Sequence, residues 1–524
     1  MKKKQLRWTL WTIASPFILF IILCILIYLP PIQNFLVDKA AVYASEATGM
    51  NISVGRISLS FPLNLVVTDV DAASPHKDTL LSVRRLQVNV QLLPLLKKQV
   101  EVDGISLQGA TVNSNDLIHG MRLNGTLGEL FISSHGVALD PETAIVNKVL
   151  LKDTDLSLCL NDTAAADTAA SDTTYWKIIL QDIDLQNVSF ALDMPLDSLS
   201  LAASLDNATL RDGLIDLHKS AYSLQTFRIK NGRVRYDSGR PSATASADSL
   251  SAGLDPSHIA LTDIGVKLDS LYYEGRNMKA IISQFVLKER SGVEIVSTEG
   301  RLVSNDKVLR VPSLKLETRD SYLELNAAMD WDALDFKKEG LVSARLMADI
   351  GKPDVVRFMG SMDEKFIRKY PSEPLRIRTG IDGDLNKLKL TTLTAELPGA
   401  LELFAKGELT SLTDSLLRGG DITLQAETKD LKFISTLAEG IEIPYGTRLE
   451  GKFTMAGPKM GTDLLLMQPE AHAVAAADTI PITVYNDSIS VADDFKMERA
   501  ARLFAKYDLS RDRYEADLAV NHFD

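Results

Sequence analysis

The sequence predicts a mainly β protein: an N-terminal transmembrane helix followed by an extended, curled, repeat β-sheet groove with a few short helices. Three observations predict it. Apolar and polar residues alternate with period two from about Asn51 onward. A short strand motif recurs along the chain. One uncharged apolar run, Trp8 to Leu29, follows the basic start "MKKKQLR".

As a helix that run extends roughly 33 Å, against a hydrocarbon core of roughly 30 Å. Lys2, Lys3, Lys4 and Arg7 should hold the N-terminus in the cytoplasm and leave the rest on the far side. The run is long for a signal peptide, and "IYLPPIQNF" offers no small-residue cleavage site. Residues 1–30 are therefore expected to form a basic tail and an uncleaved single-pass anchor. Pro31 can start a helix, and Ile32, Phe35, Leu36, Lys39, Val42 and Tyr43 keep helical spacing up to Gly49. This predicts an amphipathic helix over 31–49 that caps the following sheet or lies on the outer membrane surface.

Strand alternation is clearest in "ARLFAKYDLSRDRYEADLAVN". Ala501, Leu503, Ala505, Tyr507 and Leu509 face one way; after the polar turn, so do Tyr514, Ala516, Leu518 and Val520. The segment reads as a hairpin with one apolar and one wet face. Leu323, Leu325, Ala327 and Met329 alternate in the same way with Glu324, Asn326 and Asp330.

In "ISLQGATV", from Ile105, the alternation changes phase. Ile105 and Leu107 lie on odd positions, whereas Ala110 and Val112 lie on even ones. "VLLKDTDLSL", "IDLQNVSFAL" and "FRIKNGRVRY" break in the same way, at Asp153, Asn187 and Asn231 as at Gly109. Gly, Asn and Asp tolerate positive φ at least cost, and a one-residue bulge there would return the apolar side chains to one face. The equivalent positions Leu107, Leu151, Leu185 and Ile229 are spaced 44, 34 and 44 residues apart. Spacing of this size points to stacked supersecondary units.

Helices are few. One is expected from Pro353 in "KPDVVRFMG", one over Lys365 to Tyr370 behind a Ser361/Glu364 capping box, and one in Asp430 to Gly440. Residues 161–174, "NDTAAADTAASDTT", form a low-complexity polar loop. Its Asp162, Asp167 and Asp172 lack the pattern of a compact calcium loop. The remaining division is a β region over 50–160 and continued repeats with short helical insertions over 175–524.

A net charge of −12 argues against a general nucleic-acid binder, since phosphate binding is driven by Lys and Arg. The two cysteines, Cys24 and Cys159, imply no disulfide framework, because the first falls in the apolar run. No G-x-S-x-G elbow, phosphate loop or H-E-x-x-H helix occurs, and the seven histidines are dispersed without ligand spacing. No enzyme, cofactor or metal site is expected. A long sheet with one apolar face and little helix to cover it favours either several sandwiches or one sheet curled into a trough. Such a trough would hold hydrocarbon chains by a burial gain of roughly 0.8 kcal/mol per CH₂.

The anchor, the helix after it, and the segments "NISVGRISLS", "LVVTDV", "LSVRRLQVNV", "LLPLLKK" and "ISLQGATV" together resemble the start of AsmA-like proteins, in particular the TamB branch. The likeness is strongest over roughly the first 115 residues. It implies an inner-membrane protein, N-terminus in the cytoplasm and bulk in the periplasm, whose U-shaped β-groove carries phospholipid toward the outer membrane. A related role is assembly of outer-membrane proteins, here as a scaffold or chaperone pairing clients at open sheet edges. Members of that branch are much longer and end in a domain that meets an outer-membrane barrel, whereas this sequence stops at "VNHFD" within a strand pattern. It reads either as a truncated sequence or as a shorter relative, and an outer-membrane barrel is a partner that only the resemblance implies. The lining residues implied for acyl chains are Leu107, Val112, Leu156, Leu158, Leu185, Phe190, Ile229 and Val234, then Leu323, Leu325, Leu503 and Tyr507.

Overall fold

The structure is a computed structural model. It describes residues 50–521, together with 39, 41, 42 and 45, apart from 61–63, 75–78, 92–101, 115–119, 139–141, 162–174, 240–252, 336–337, 339, 360–363, 413, 415, 437–444, 470–481, 486–487, 492–496 and 509–512. The expected anchor at 1–30, the segment "LLPLLKK", the three aspartates of the polar loop and the Ser361 cap lie outside the described residues. Among the described residues no helix is long and apolar enough to cross a membrane. Of the amphipathic helix expected over 31–49, Lys39, Ala41, Val42 and Ser45 are helical, and the Ser45 hydroxyl accepts the Ile52 N–H at 3.0 Å.

The fold is mainly β, as expected, and falls into two units: Met1–Ala245 with Pro256–Gly275, and Ser246–Asp255 with Arg276–Asp524. Nothing in the alternation of residues 175–524 marks that division. The first unit contains β1 (Asn51–Ser60), β2 (Asn64–Ala73), β3 (Thr79–Val90), β4 (Val102–Asn113), β5 (Met121–Ala138), β6 (Thr143–Leu160), β7 (Lys177–Met194), β8 (Leu199–Asp216), β9 (Ala221–Leu224), β10 (Thr226–Ser238) and β11 (His258–Glu274). From β1 to β8 each strand pairs with the next; β8 then pairs with β10, and β10 with β11. Short β9 bridges β8 and β11 in line with β10. All these pairs are antiparallel except β6 with β7, which run parallel.

That exception explains the uneven repeat. An antiparallel neighbour reads the motif backwards, so a forward copy returns only after two strands: β4 to β6 and β7 to β10 each take 44 residues. The parallel step from β6 to β7 returns it after one strand and 34 residues. Read in reverse, the intervening strands carry the motif too. Leu130, Glu129, Gly128, Leu127 in β5 and Ala208, Asn207, Asp206, Leu205 in β8 follow its order.

All four phase-change residues have positive φ: Gly109 at 61°, Asp153 at 48°, Asn187 at 50° and Asn231 at 51°. The expected one-residue bulge is corrected, however. From β1 to β10 the registers run through the break without a shift, and only between β10 and β11 does one occur there. The break falls at the same level in successive strands, so the row Gly55, Asp69, Arg84, Gly109, Gly128, Asp153, Asn187, Asp206 forms an aligned crease, with positive φ in β2, β4, β6 and β7 and ordinary φ at Gly55, Arg84, Gly128 and Asp206. Asp69 also has positive φ, at 55°. Small residues stand where the kinked backbone crowds its neighbour: a Cβ on Gly128 would come within 2.8 Å of the Asp153 Cβ. The Asn187 amide donates to Asp153 Oδ1 at 2.9 Å, and the Asn231 amide to Asp206 Oδ2 at 2.9 Å.

This geometry makes a direct comparison at Asn187. Asn187→Val and Asn187→Gly lose the same side-chain hydrogen bond, but only valine is strained by positive φ. Valine is expected to be about 2 kcal/mol less stable than glycine. The midpoints of urea unfolding of the two variants measure the difference.

The second unit contains β12 (Asn277–Glu289), β13 (Glu294–Ser304), β14 (Val308–Thr318), β15 (Tyr322–Asp330), β16 (Val342–Ile350), β17 (Leu375–Gly383), β18 (Lys387–Leu397), β19 (Leu401–Thr410), β20 (Gly419–Thr428), β21 (Arg448–Ala456), β22 (Lys459–Pro469), β23 (Ile482–Tyr485), β24 (Ser488–Val491), β25 (Met497–Asp508) and β26 (Arg513–Val520). Consecutive strands pair antiparallel from β12 to β22, then β22 with β25 and β25 with β26. β23 and β24 form a separate hairpin. The expected terminal hairpin is β25–β26, with Leu503 opposite Leu518 and Tyr507 opposite Tyr514.

Two expected helices form, Lys352–Met359 and Glu364–Lys369. The third does not in its described part: Ile434–Thr436 is a single 3₁₀ turn. Leu431 and Phe433 are instead drawn into a cluster with Phe366, Tyr370, Leu397 and Ala400. Phe366, Tyr370 and Phe433 meet with ring centroids 5.2 to 5.7 Å apart. Leu375, Leu397 and Leu401, at the ends of their strands, supply the sheet side of this cluster.

Candidate functional site

Following the registers from strand to strand shows what the apolar alternation builds. In the first unit one row runs Ile57, Val67, Leu86, Leu107, Leu130, Leu151, Leu185, Ala208, Ile229, Val266. Across the crease a second runs Ile52, Ala72, Leu81, Val112, Gly125, Leu156, Phe190, Ala203, Val234, Leu261. Directly opposed residues share a face. A third row, Leu123, Leu158, Leu192, Leu201, Tyr236, Ile259, lies farther toward the same strand ends. All eight lining residues named for this unit thus fall on three rows of one face, with Leu107, Leu185 and Ile229 on the first and Val112, Leu156, Phe190 and Val234 on the second. Ten strands at a spacing of about 4.8 Å make each long row roughly 43 Å.

The second unit repeats the arrangement. Leu325 and Leu503 lie on one row: Gly300, Leu314, Leu325, Leu346, Thr379, Leu393, Ala405, Leu424, Gly451, Leu464, Leu503, Leu518. Leu323 belongs to the adjacent row through Ala348, Ile377, Ala395 and Leu403. Tyr507 belongs to a row through Leu388, Leu409, Met455 and Met460.

These faces are not closed over. In the row through Leu185 only Ala208 is buried, and Phe190 is 37% exposed. A sandwich core would bury such side chains almost completely. In the second unit one end of the apolar face is covered: Leu375, Leu397 and Leu401 pack under Phe366, Tyr370 and Phe433. Burial there holds the Tyr370 phenol above its ordinary pKa. The helical insertion therefore walls the ends of β17–β19 and leaves their middles uncovered.

The opposite face is polar and self-paired. Arg376, Glu396, Glu402, Glu427 and Arg448 are opposed in sequence across β17–β21. Three neighbouring carboxylates would repel, but Arg376 pairs with Glu396 at 3.4 Å, Lys429 with Glu402 at 3.2 Å and Arg448 with Glu427 at 3.4 Å. A concavity of about 800 Å³ opens over these groups, on the side away from the apolar rows. A twisted sheet is saddle-shaped, so each face is concave along one diagonal.

Hydrogen bonding from Arg502 holds the Asp463 carboxyl below its usual range, and hydrogen bonds to Glu274 and Glu324 hold the Tyr272 and Tyr322 phenols above theirs. Each shift deepens the charge state already held at neutral pH, so none of these groups is prepared to donate or take up a proton. Among the described residues no group of three or more His, Cys, Asp or Glu can hold a metal ion. Cys159 is a free thiol.

Sequence reasoning missed the lining members on the reversed strands, such as Leu130 and Ala203. Reading the motif backwards would have found them. No protein-family model matches the chain, and no curated protein matches it in sequence.

Proposed function

We propose that this chain is a lipid-transfer groove, tethered to the inner membrane by residues 1–30, with its β units in the periplasm moving phospholipid toward the outer membrane. One observation carries the reading. Apolar rows cross ten or more strands without a charged residue, and they stay half-exposed in a folded protein. Each Leu or Ile left half-open forgoes part of the roughly 1.5–3 kcal/mol that full burial would supply. Acyl chains laid along the rows recover it, while a head group stays in water at the strand ends. The resemblance to AsmA-like proteins points the same way and supplies the compartment and direction.

The test is lipid mass spectrometry on the full chain extracted from membranes in mild detergent. Phospholipid is expected at one or more molecules per chain after extensive washing. Lipid far below one per chain would favour a second reading, a scaffold for assembly of outer-membrane proteins. The observation behind that reading is β26, whose eight residues are all exposed and which pairs, among the described strands, with β25 alone. An open edge of this kind can pair with a client strand.

A further inference from the structure

In the first unit, β7, β8, β9 and β11 extend the apolar face beyond a second kink, at Asp212, where φ is 51°. The last row there is Ala144, Ile178, Ile215, Tyr222, Tyr273. It passes from aliphatic residues to a pair of tyrosines whose rings lie 6.1 Å apart, 40% and 42% exposed. Neither hydroxyl has a protein partner among the described residues. Tyr175 and His218 meet edge to face at 5.5 Å at the same strand ends. Exposed Lys177 and Lys219 are there too, with no ion pair among the described residues.

The placement of tyrosine on this face is selective. The long rows through Leu185 and Phe190 contain none. Tyr236 lies in the outer row toward one set of strand ends, and Tyr222 with Tyr273 in the last row toward the other. A phenol suits a boundary where its ring contacts hydrocarbon and its hydroxyl meets polar groups or water, as aromatic residues do at bilayer interfaces. Among the described residues the Tyr236 end has no such pair and no comparable aromatic cluster.

We infer that Tyr222 and Tyr273, with Lys219, form a site for the phosphate and ester oxygens of a two-chain phospholipid whose tails lie on the adjoining rows. This rests on the lipid-groove reading. The tyrosine hydroxyls donate to ester or phosphate oxygens, and the lysine ammonium offsets the phosphodiester charge. The tails then enter the row at Ile215 and Ile178.

Two photoreactive phosphatidylglycerol probes test this on the full chain in detergent, one with a diazirine beside the head group and one with it at the tail end. The tail probe is expected to label peptides containing Leu185 or Ile229, and the head-group probe peptides containing Tyr222 or Tyr273. Replacing both tyrosines with phenylalanine should reduce head-group labelling there by at least about fivefold, the effect of losing one net hydrogen bond of the two, and leave tail labelling unchanged. If the tail probe labels the rows while the head-group probe labels the Tyr236 end or scatters, this site is wrong and the groove stands. Unchanged head-group labelling in the phenylalanine variant also overturns it. If neither probe labels the apolar face, the groove reading fails and the site falls with it.

Discussion

Placing aspartate at both Leu185 and Phe190 is expected to lower the lipid that copurifies with the full chain by at least about tenfold, with the fold retained. The two positions lie on rows on either side of the crease at Asn187, so a tail crossing the face meets one of them. Leu185 is half-buried and Phe190 exposed, so a carboxylate at either position stays hydrated. Its cost appears only when a hydrocarbon chain covers it, and an unpaired buried charge costs several kcal/mol. Since about 1.4 kcal/mol is a factor of ten in affinity, tenfold is a lower bound. Gln186→Asp, one residue along on the polar face, is the matched control and should bind lipid as the parent does. Circular dichroism and lipid mass spectrometry on the three proteins decide the matter. Parental lipid content in a folded double variant would sink the groove reading, and a scaffold working through its strand edges predicts that result.

Much of this face was legible because the side-chain period of a strand is two and the kinks use residues suited to positive φ. Leu107, Leu185 and Ile229 could be equated from the motif alone, and Gly109, Asp153, Asn187 and Asn231 marked the crease. What was hidden has a physical cause in each case. Whether a phase change is a bulge or an aligned kink depends on the neighbouring strand, and antiparallel neighbours spell the motif in reverse. The helix read in Asp430 to Gly440 had local support, but burial of Leu431 and Phe433 against Phe366 outweighs that propensity. Phe366 and Phe433 are far apart in sequence, so the wall they build could not be inferred from spacing. The tyrosine row at β9 and β11 was likewise hidden, because β9 is only four residues long.

The same wall depends on a polar anchor, and Asp354→Ala is expected to destabilise it by about 3 kcal/mol. Asp354 is fully buried in the first turn of helix Lys352–Met359. Its carboxylate accepts hydrogen bonds from the Thr318 hydroxyl, from Ser321 Oγ at 2.6 Å and from the Arg357 guanidinium at 2.9 Å. Arg357 also reaches Asp320 at 2.9 Å, and Ser321 Oγ accepts the Gly351 N–H at 3.0 Å. The carboxylate thus fastens the β14–β15 turn to the chain leaving β16. Gly351 permits the approach, since a Cβ there would lie 2.3 Å from the Asp320 carbonyl oxygen. Removing one member of a buried ion pair costs about 3–5 kcal/mol. The lower end applies because Arg357 is partly exposed and keeps Asp320. Asp354→Asn retains an acceptor and loses the charge, so about 1–2 kcal/mol is expected. Hydrogen exchange resolves the effect locally: amides of β14–β16 and of both helices should lose protection in the order Ala, Asn, parent, while β1–β8 stay unchanged. Equal protection in the alanine variant and the parent would show that the aromatic cluster holds the insertion without Asp354.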